Sequence, residues 1–325
     1  MDDALSSLLH EVRPRGALFD QSVVTPPWSL RFLEKTPLAL LSMLSGDAWV
    51  TSGEGPGPSG RGEAVPLCRG DVVIVVGPEP YTVADDPGTA PIAQVDESGR
   101  CTTPQGALIL GELPMCRYEP GGGVEGEGEE TVLLKGTYQV GGSVSQRVLG
   151  ALPRIARIPA PPDGRPVLDM ITRELGRDTP GRQVVLDRLL DLLLVSSLRE
   201  WFERPEAEAP AWYRAHEDPV VGRALGLIHG DPARRWTVAG LAAEAGASRA
   251  RFAQRFSDLV GQPPMTYLTE WRICWAADLL AKTDATVEAI SRRVGYSNAY
   301  ALSVAFKRTM GLRPSEHRAL TRSTG

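Results

Sequence analysis

Between Trp28 and about Leu152 the apolar residues fall in short runs: ALLSML (Ala39–Leu44), AWV (Ala48–Val50), VVIVV (Val72–Val76), ALIL (Ala107–Leu110) and TVLLKGTYQV (Thr131–Val140). Runs of that length, separated by turn formers, predict the strands of an antiparallel β-barrel or sandwich. The separators are GEGPGPSGRG (Gly53–Gly62), DDPGTAP (Asp85–Pro91) and EPGGGVEGEGEE (Glu119–Glu130). In these, Gly and Pro supply turn geometry and polar side chains keep the loops wet. After IPAPPDGRP (Ile158–Pro166) the period changes. Val167–Gly176 and Gly181–Phe202 read as helices, the second starting just beyond Pro180. Its run Leu192–Val195 sets consecutive apolar side chains about 100° apart, more than one face can hold. The helix is expected to pack its own domain on one side and a second copy of the chain on the other, with burial inside one chain as the alternative. ERPEAEAPA (Glu203–Ala211) reads as a solvated linker.

The last third contains an internal repeat. TVAGLAAEAGASRARFAQRF (Thr237–Phe256) is echoed by TVEAISRRVGYSNAYALSVAF (Thr286–Phe306). Thr237 pairs with Thr286, Val238 with Val287, Leu241 with Ile290, Ala245 with Val294, Gly246 with Gly295, Ser248 with Ser297 and Phe256 with Phe306. Each copy carries the parts of a helix-turn-helix. A Thr can cap a short amphipathic helix, and a Gly supplies a left-handed turn. Ser248, or Ser297 with Asn298, then caps a second helix that buries Phe252 and Phe256, or Leu302 and Phe306, and leaves its other face for a groove. A single such pattern occurs in many helical domains; two in register are far more specific.

WTVAGLAAEAGASRARFAQRFSDLVGQPPMTYLTEWRICWAADLL (Trp236–Leu280) and VEAISRRVGYSNAYALSVAFKRTMGLRPSEHR (Val287–Arg318) resemble the AraC/XylS-type double helix-turn-helix DNA-binding domain, over Asp218–Leu320. The resemblance implies a long connecting helix over Met265–Ala281, packed through Trp271, Ile273, Ala276, Ala277, Leu279 and Leu280. Such a helix would hold two recognition helices rigidly, about 34 Å apart, on one side of a duplex. In the first unit it places base reading on Ala250, Ala253 and Gln254, with Ser248, Arg249, Arg251 and Arg255 within reach of phosphates or base edges. Gln254 can bond adenine at two points, whereas Ala250 and Ala253 can only touch a thymine methyl. The second unit departs from the family pattern, with Val304 and Ser303 where many members carry an arginine, and Ala299 and Tyr300 at the front. We expect it to act mainly on the backbone, through Asn298, Tyr300, Lys307 and Arg308.

Taken whole, the net charge of −5 over 325 residues argues against a polyanionic partner. Asp218–Gly325, however, holds 15 Lys and Arg against 9 Asp and Glu, leaving 20 against 31 for the rest. A basic module on an acidic body agrees with the DNA assignment without carrying it. No run approaches the ~20 apolar residues of a membrane span. MDDALSSLLH (Met1–His10) lacks the pattern of an export signal, so a cytoplasmic protein, at the nucleoid when bound to DNA, is expected. Cys68, Cys101, Cys116 and Cys274 are too few and scattered for a disulfide framework.

The first half is similar, more weakly, to the cupin-type sensor domains of one AraC subgroup, through DALSSLL (Asp3–Leu9), GDAWV (Gly46–Val50), CRGDVVIVVGPEPYTV (Cys68–Val83) and LGALPRIARIP (Leu149–Pro159). Cupin enzymes hold a metal with strand histidines. Here His10, His216, His229 and His317 all lie outside the predicted strands, and Ser42 and Pro80–Tyr81 stand where the resemblance directs attention. No metal, no cofactor and no catalytic residue is expected. Trp28, Trp49, Tyr81 and Tyr138 are candidates to line a pocket for a small-molecule effector. Cys68, Cys101 and Cys116 are candidates for a redox switch, as the resemblance allows; Cys274, between Trp271 and Trp275, reads as core.

The expected fold is therefore α+β and multidomain: a cupin-like antiparallel β-barrel over residues 1–160, dimerisation helices over 161–205, a linker over 206–217 and an all-α double helix-turn-helix domain over 218–325. The expected function is a homodimeric, sequence-specific transcription regulator, joined through Val167–Phe202, that binds promoter DNA with RNA polymerase as a candidate partner and no membrane. The alternatives are a metal-free cupin enzyme fused to a DNA-binding module, and an architectural protein indifferent to sequence.

Overall fold

Eleven strands and ten helices are described in the computed structural model, which covers residues 20–24, 26–53, 63–96, 100–108, 131–138, 148–177, 179–205, 207 and 209–323. The chain divides into two units, one built on 13–139 with 152–207 and one centred on 208–325. The strands are β1 (Asp20–Val24), β2 (Ser29–Phe32), β3 (Leu38–Ser45), β4 (Ala48–Ser52), β5 (Ala64–Leu67), β6 (Val72–Val76), β7 (Tyr81–Ala84), β8 (Ala93–Val95), β9 (Cys101–Thr102), β10 (Thr131–Tyr138) and β11 (Ile155–Ile158). They form two sheets, ordered β1-β10-β3-β6-β11 and β5-β4-β7-β2-β8-β9. Of the expected barrel or sandwich, the chain forms two sheets that do not close into a barrel, and one ladder, β2 with β8, is parallel rather than antiparallel.

The parallel ladder joins β2 to β8, with Leu30 opposite Ala93 and Phe32 opposite Val95. Its origin is the loop 85–92. β7 runs antiparallel to β2, the chain reverses, and Ile92 N–H donates to Ser29 O at 2.9 Å, seating β8 on the far side of β2. The loop is tied down at its start, where Asp85 accepts the Trp28 N–H at 3.1 Å.

Side-chain alternation fills the space between the sheets. Leu30 and Phe32, Ala39, Leu41 and Met43, Val73 and Val75, Tyr81 and Val83, and Leu133 form one buried cluster. The opposite side of the five-stranded sheet is buried too, through Leu38, Leu40, Val72, Ile74, Leu134, Tyr138, Ala156 and Ile158. Burial on both faces is why β3 and β6 read as unbroken apolar runs rather than alternating ones.

Helices α1 (Pro166–Leu175) and α2 (Arg182–Phe202) follow. The Tyr138 hydroxyl donates to Leu190 O at 2.9 Å, which sets α2 against the sheet. The joint before α1 is pinned by Arg165, which pairs with Glu200 at 2.8 Å and donates to Pro159 O. The Leu192–Val195 run divides as helix geometry requires: Leu193 and Leu194 are each 1% exposed, and Leu192 is 49% exposed. With Val184 and Val185, Leu192 forms a partly exposed apolar strip along α2.

The second unit contains α3 (Ala211–Arg214), a 3-10 turn (Ala215–Glu217), α4 (Val221–Gly230), α5 (Val238–Glu244), α6 (Arg249–Val260), α7 (Pro264–Lys282), α8 (Val287–Arg293), α9 (Ala299–Met310) and α10 (Pro314–Ser323). Part of the expected solvated linker is therefore folded. From Ala211 it is helical, and Ala215 and Trp212 pack into the first core, which holds them in place of water. That core also holds Phe252, Phe256, Tyr267, Leu268 and Trp271; a second holds Ile273, Ala276, Leu280, Ile290, Leu302 and Phe306. One helix, α7, runs through both, and every position expected to pack on it is buried. Cys274 is core, as expected.

Candidate nucleic-acid interface

The first helix-turn-helix is α5, a turn and α6. The Thr237 hydroxyl accepts the Gly240 N–H at 3.0 Å, and Gly246 takes φ +72° at the turn. Ser248 occupies the N-cap position of α6 with extended backbone, but its side chain makes no cap bond, contrary to the expected cap. Phe252, Phe256 and Val260 face inward. Ser248, Arg249, Ala250, Arg251 and Gln254 are exposed, and Ala253 is half-buried. Gln254 rests on Asp258 through Nε2–H···Oδ1 at 2.8 Å, a surface contact that an incoming base can replace. Arg255 is engaged elsewhere. Its Nε donates to Asp218 Oδ2 at 2.7 Å, and a second guanidinium N–H reaches the same oxygen.

The second unit repeats the plan with firmer locks. Thr286 accepts from Ala289 N–H at 3.1 Å, and Gly295 takes φ +83°. Asn298 caps α9 by accepting the Ala301 N–H at 2.8 Å. Glu288 reaches over from α8 to accept the Ala299 N–H at 2.9 Å while pairing with Arg292 at 3.0 Å. The Ala299 N–H, with help from Arg292, holds the Glu288 carboxyl below its ordinary range. Leu302, Ala305 and Phe306 are buried. Tyr300, at 79% exposure, and Val304, at 52%, stand outward, with Asn298, Lys307 and Arg308 exposed beside them. Ala299 is half-buried, and Ser303 is engaged with its own helix, donating to Ala299 O at 2.7 Å.

Arg272 of α7 links the two helix-turn-helix motifs. It donates to Pro232 O at 2.7 Å and Arg234 O at 2.8 Å, and its guanidinium lies 5.9 Å from the Tyr296 ring beside Gly295. Burial lowers its pKa. Asp218, Arg272 and Glu288 were not legible as site residues. The nearest signal was a break in the repeat, since Glu288 stands where the first copy has Ala239.

In the sheet unit the four candidate pocket aromatics do not converge. Trp28 and Tyr81 share the core between the sheets, Trp49 is half-buried, and Tyr138 lies on the opposite face of its sheet against α2. Burial drives the Tyr138 phenol well above its ordinary pKa. A buried polar group that the sequence did not reveal sits in that core. Glu34 pairs with Lys135 at 2.8 Å and accepts the Tyr81 hydroxyl at 2.8 Å, while the Lys135 ammonium lies 4.4 Å from the Phe32 ring centroid. Cys68 is exposed, but partial desolvation of its sulfur, then Asp47 and Asp71, raise its pKa, and Arg157 offsets them only in part. Cys101 is half-buried, and Cys116 lies outside the described residues. Among the described residues no three of His, Cys, Asp and Glu gather as a metal site, and no helix is long and apolar enough to cross a membrane.

The cupin family profile matches residues 3–203, and a helix-turn-helix domain profile matches 241–319. A Streptomyces lividans protein named as an AraC-like transcription regulator is 32% identical over 97% of this chain and 98% of its own. The chain belongs to the AraC-like transcription regulators. A Streptomyces antibioticus relative of the same name is 34% identical over 80% of this regulator and 81% of itself. The DNA-binding domain of AdpA, solved in complex with a target DNA, is 30% identical over 33% of this chain and 96% of that one, with a TM-score of 0.32. The regulator thus joins a cupin domain to an AraC-type DNA-binding domain.

Proposed function

We propose that the regulator reads its promoter sites chiefly through α6 and uses α9 as a backbone anchor. The observation that carries this is the contrast between the two exposed faces. α6 offers Arg249, Arg251 and Gln254, whereas α9 offers Tyr300 at its front, Val304 at its centre and Lys307 and Arg308 toward its end. Long polar side chains make directional base contacts; methyls and rings read shape, and end-on cations meet phosphate. Binding of the full chain to duplexes selected from a random pool tests the division. Gln254→Ala is expected to relax preference at one or two base pairs, worth about 1–3 kcal/mol if the contact is bidentate. Lys307→Ala is expected to weaken all duplexes alike and to lower the salt slope by about 0.9. Equal loss of discrimination from both overturns the division, and equal affinity of the parent protein for all duplexes favours an architectural role.

Two copies pair through α2, whose partly exposed Val184, Val185 and Leu192 supply an apolar strip. The cupin domain acts as the sensor rather than as an enzyme, in a cytoplasmic protein whose pairing geometry governs half-site binding and contact with RNA polymerase. A small-molecule effector is favoured over an oxidant, because desolvation and the carboxylates of Asp47 and Asp71 disfavour the thiolate of Cys68. Native mass spectrometry of the purified dimer, with and without thiol trapping, separates a retained ligand from a disulfide.

A further inference from the structure

Asp218 occupies the joint between the 3-10 turn and α4, and both of its oxygens are used. Oδ1 accepts the Val220 and Val221 N–H groups at 3.0 and 2.9 Å, which fixes the first turn of α4. Oδ2 takes Arg255 of α6, with the Nε bond at 2.7 Å. The surrounding segment is tightly set. Gly222 N–H donates to Asp218 O at 2.7 Å, and a Cβ on Gly222 would fall 2.1 Å from His216 O, so turn and helix touch backbone to backbone. Trp212 and Ala215 of the same segment pack in one core with Phe252 and Phe256, the buried face of α6. Along α6, Arg255 stands about 100° from Gln254 and about 140° from Ala250. It lies at the flank of the exposed face, about 40° from Arg251, with its guanidinium drawn onto Asp218 of this segment.

We propose that Asp218 is a positioning residue for DNA recognition. It holds Arg255 as a strut that fixes how α6 is seated on the segment 211–222, by which the chain enters this unit, and Arg255 does not contact DNA. This removes Arg255 from the DNA-contacting set expected from the resemblance. It rests on the reading that the exposed face of α6 meets the bases. A charge-assisted pair with two N–H groups on one carboxylate oxygen resists tilting of α6 about its buried edge. Loss of the pair leaves the charge pattern facing DNA unchanged and degrades only the register of Gln254 and its neighbours.

The test is a double-mutant cycle in the full-length protein, with binding to the preferred duplex and to an unrelated duplex measured at several salt concentrations. Asp218→Asn keeps an acceptor for Val220 and Val221, and Arg255→Ala leaves that cap untouched. Each single variant is expected to weaken preferred-site binding by about 10-fold, the double variant no more than either, as for groups acting as one unit. Binding to the unrelated duplex and the salt slope are expected to stay at parent values. The charge swap Asp218→Arg with Arg255→Asp is expected to recover part of the loss. The proposal is overturned if Arg255→Ala weakens both duplexes and lowers the salt slope by about 0.9, the signature of a lost phosphate contact. It is equally overturned if Asp218→Asn tightens binding or the cycle is additive. If Asp218→Asn unfolds the unit by circular dichroism, the slope and duplex ratio of Arg255→Ala decide alone. Gln254→Ala with unchanged site preference refutes base reading by α6 itself; an additive cycle beside a normal Gln254→Ala loss refutes the strut alone.

Discussion

The matched turn glycines of the two helix-turn-helix units offer a controlled perturbation. At Gly246, with φ +72°, an added Cβ meets nothing within 4 Å, so Gly246→Ala incurs only the left-handed backbone penalty, about 1–2 kcal/mol. At Gly295, with φ +83°, the same penalty applies and the Cβ falls 2.6 Å from Ala233 O and 2.9 Å from Arg272 Nη2. The carbonyl is backbone and cannot swing away, and Arg272 is anchored on Pro232 O and Arg234 O. Forced overpacking adds about 1–3 kcal/mol. Gly295→Ala is therefore expected to cost about 2–5 kcal/mol, and to act at the contact between the two units. Global melting of a two-domain chain is not a two-state measure, so the assay is amide hydrogen exchange resolved on peptides of α5–α6 and α8–α9. Gly246→Ala should speed exchange in α5–α6 by about 10-fold, at 1.4 kcal/mol per decade. Gly295→Ala should speed α8–α9 by a further factor of about 10 and also loosen the 231–236 loop. Equal effects, or a larger one at Gly246, would refute the reasoning that the Ala233 contact is rigid.

Lys135→Met is expected to cost about 3–5 kcal/mol by leaving the buried Glu34 carboxyl without its ion-pair partner, whereas Lys135→Met with Glu34→Leu should recover most of it; urea unfolding of the cupin domain checks both. Cys68 should react with a thiol-specific disulfide reagent more slowly at neutral pH than an unperturbed cysteine and catch up only at alkaline pH; fast neutral reaction contradicts its carboxylate-lined setting. The Asp218 and Glu288 carboxyls are both depressed in the folded state, so their contributions are complete above the ordinary carboxylate range and fade as pH falls through the depressed values; exchange in α6 and α9 should rise there, and Glu288→Gln should flatten the α9 response.

The DNA-binding unit was the more legible in sequence because its signals are local. Thr caps, a left-handed Gly and paired Phe residues each act within a few positions, and the second copy multiplied their weight. The sandwich was read only as far as its strands. Closure into a barrel is a question of which edges pair, and the β2–β8 parallel ladder depends on the hydrogen bond from Ile92 to Ser29, which no strand pattern encodes. The linker expectation over 206–217 rests on ERPEAEAPA, rich in Pro and Glu; Trp212 and Ala215, which anchor the segment in the core, lie beyond its end. The aromatic pocket candidates were misleading in a similar way. Alternation sends Tyr81 into one core and Tyr138 onto another face, so membership of the same barrel did not bring them to the same place.

The two units carry one sequence pattern but lock their recognition helices differently, and the locks bear on what each helix can do. α9 is closed at its N-terminus by protein groups: Asn298 takes one N–H, and Glu288 takes another and adds a negative charge there. A phosphate approaching that end meets a carboxylate, so the basic contacts of α9 are left to Lys307 and Arg308 near its other end. α6 has no side-chain cap at Ser248, has Ala239 in place of Glu288, and carries Arg249 and Arg251 in its first turn. Its N-terminus therefore favours an incoming anion where that of α9 opposes one. The seating that α6 lacks at its tip it gains at its flank, from Asp218 on Arg255. A helix held at the flank keeps its tip and outer face open to a groove, whereas a helix held at the tip presents only its side. The backbone anchoring proposed for α9 is thus confined to Lys307 and Arg308 near its C-terminal end, while α6 can hold a phosphate at its tip and present Gln254 to the bases from its outer face.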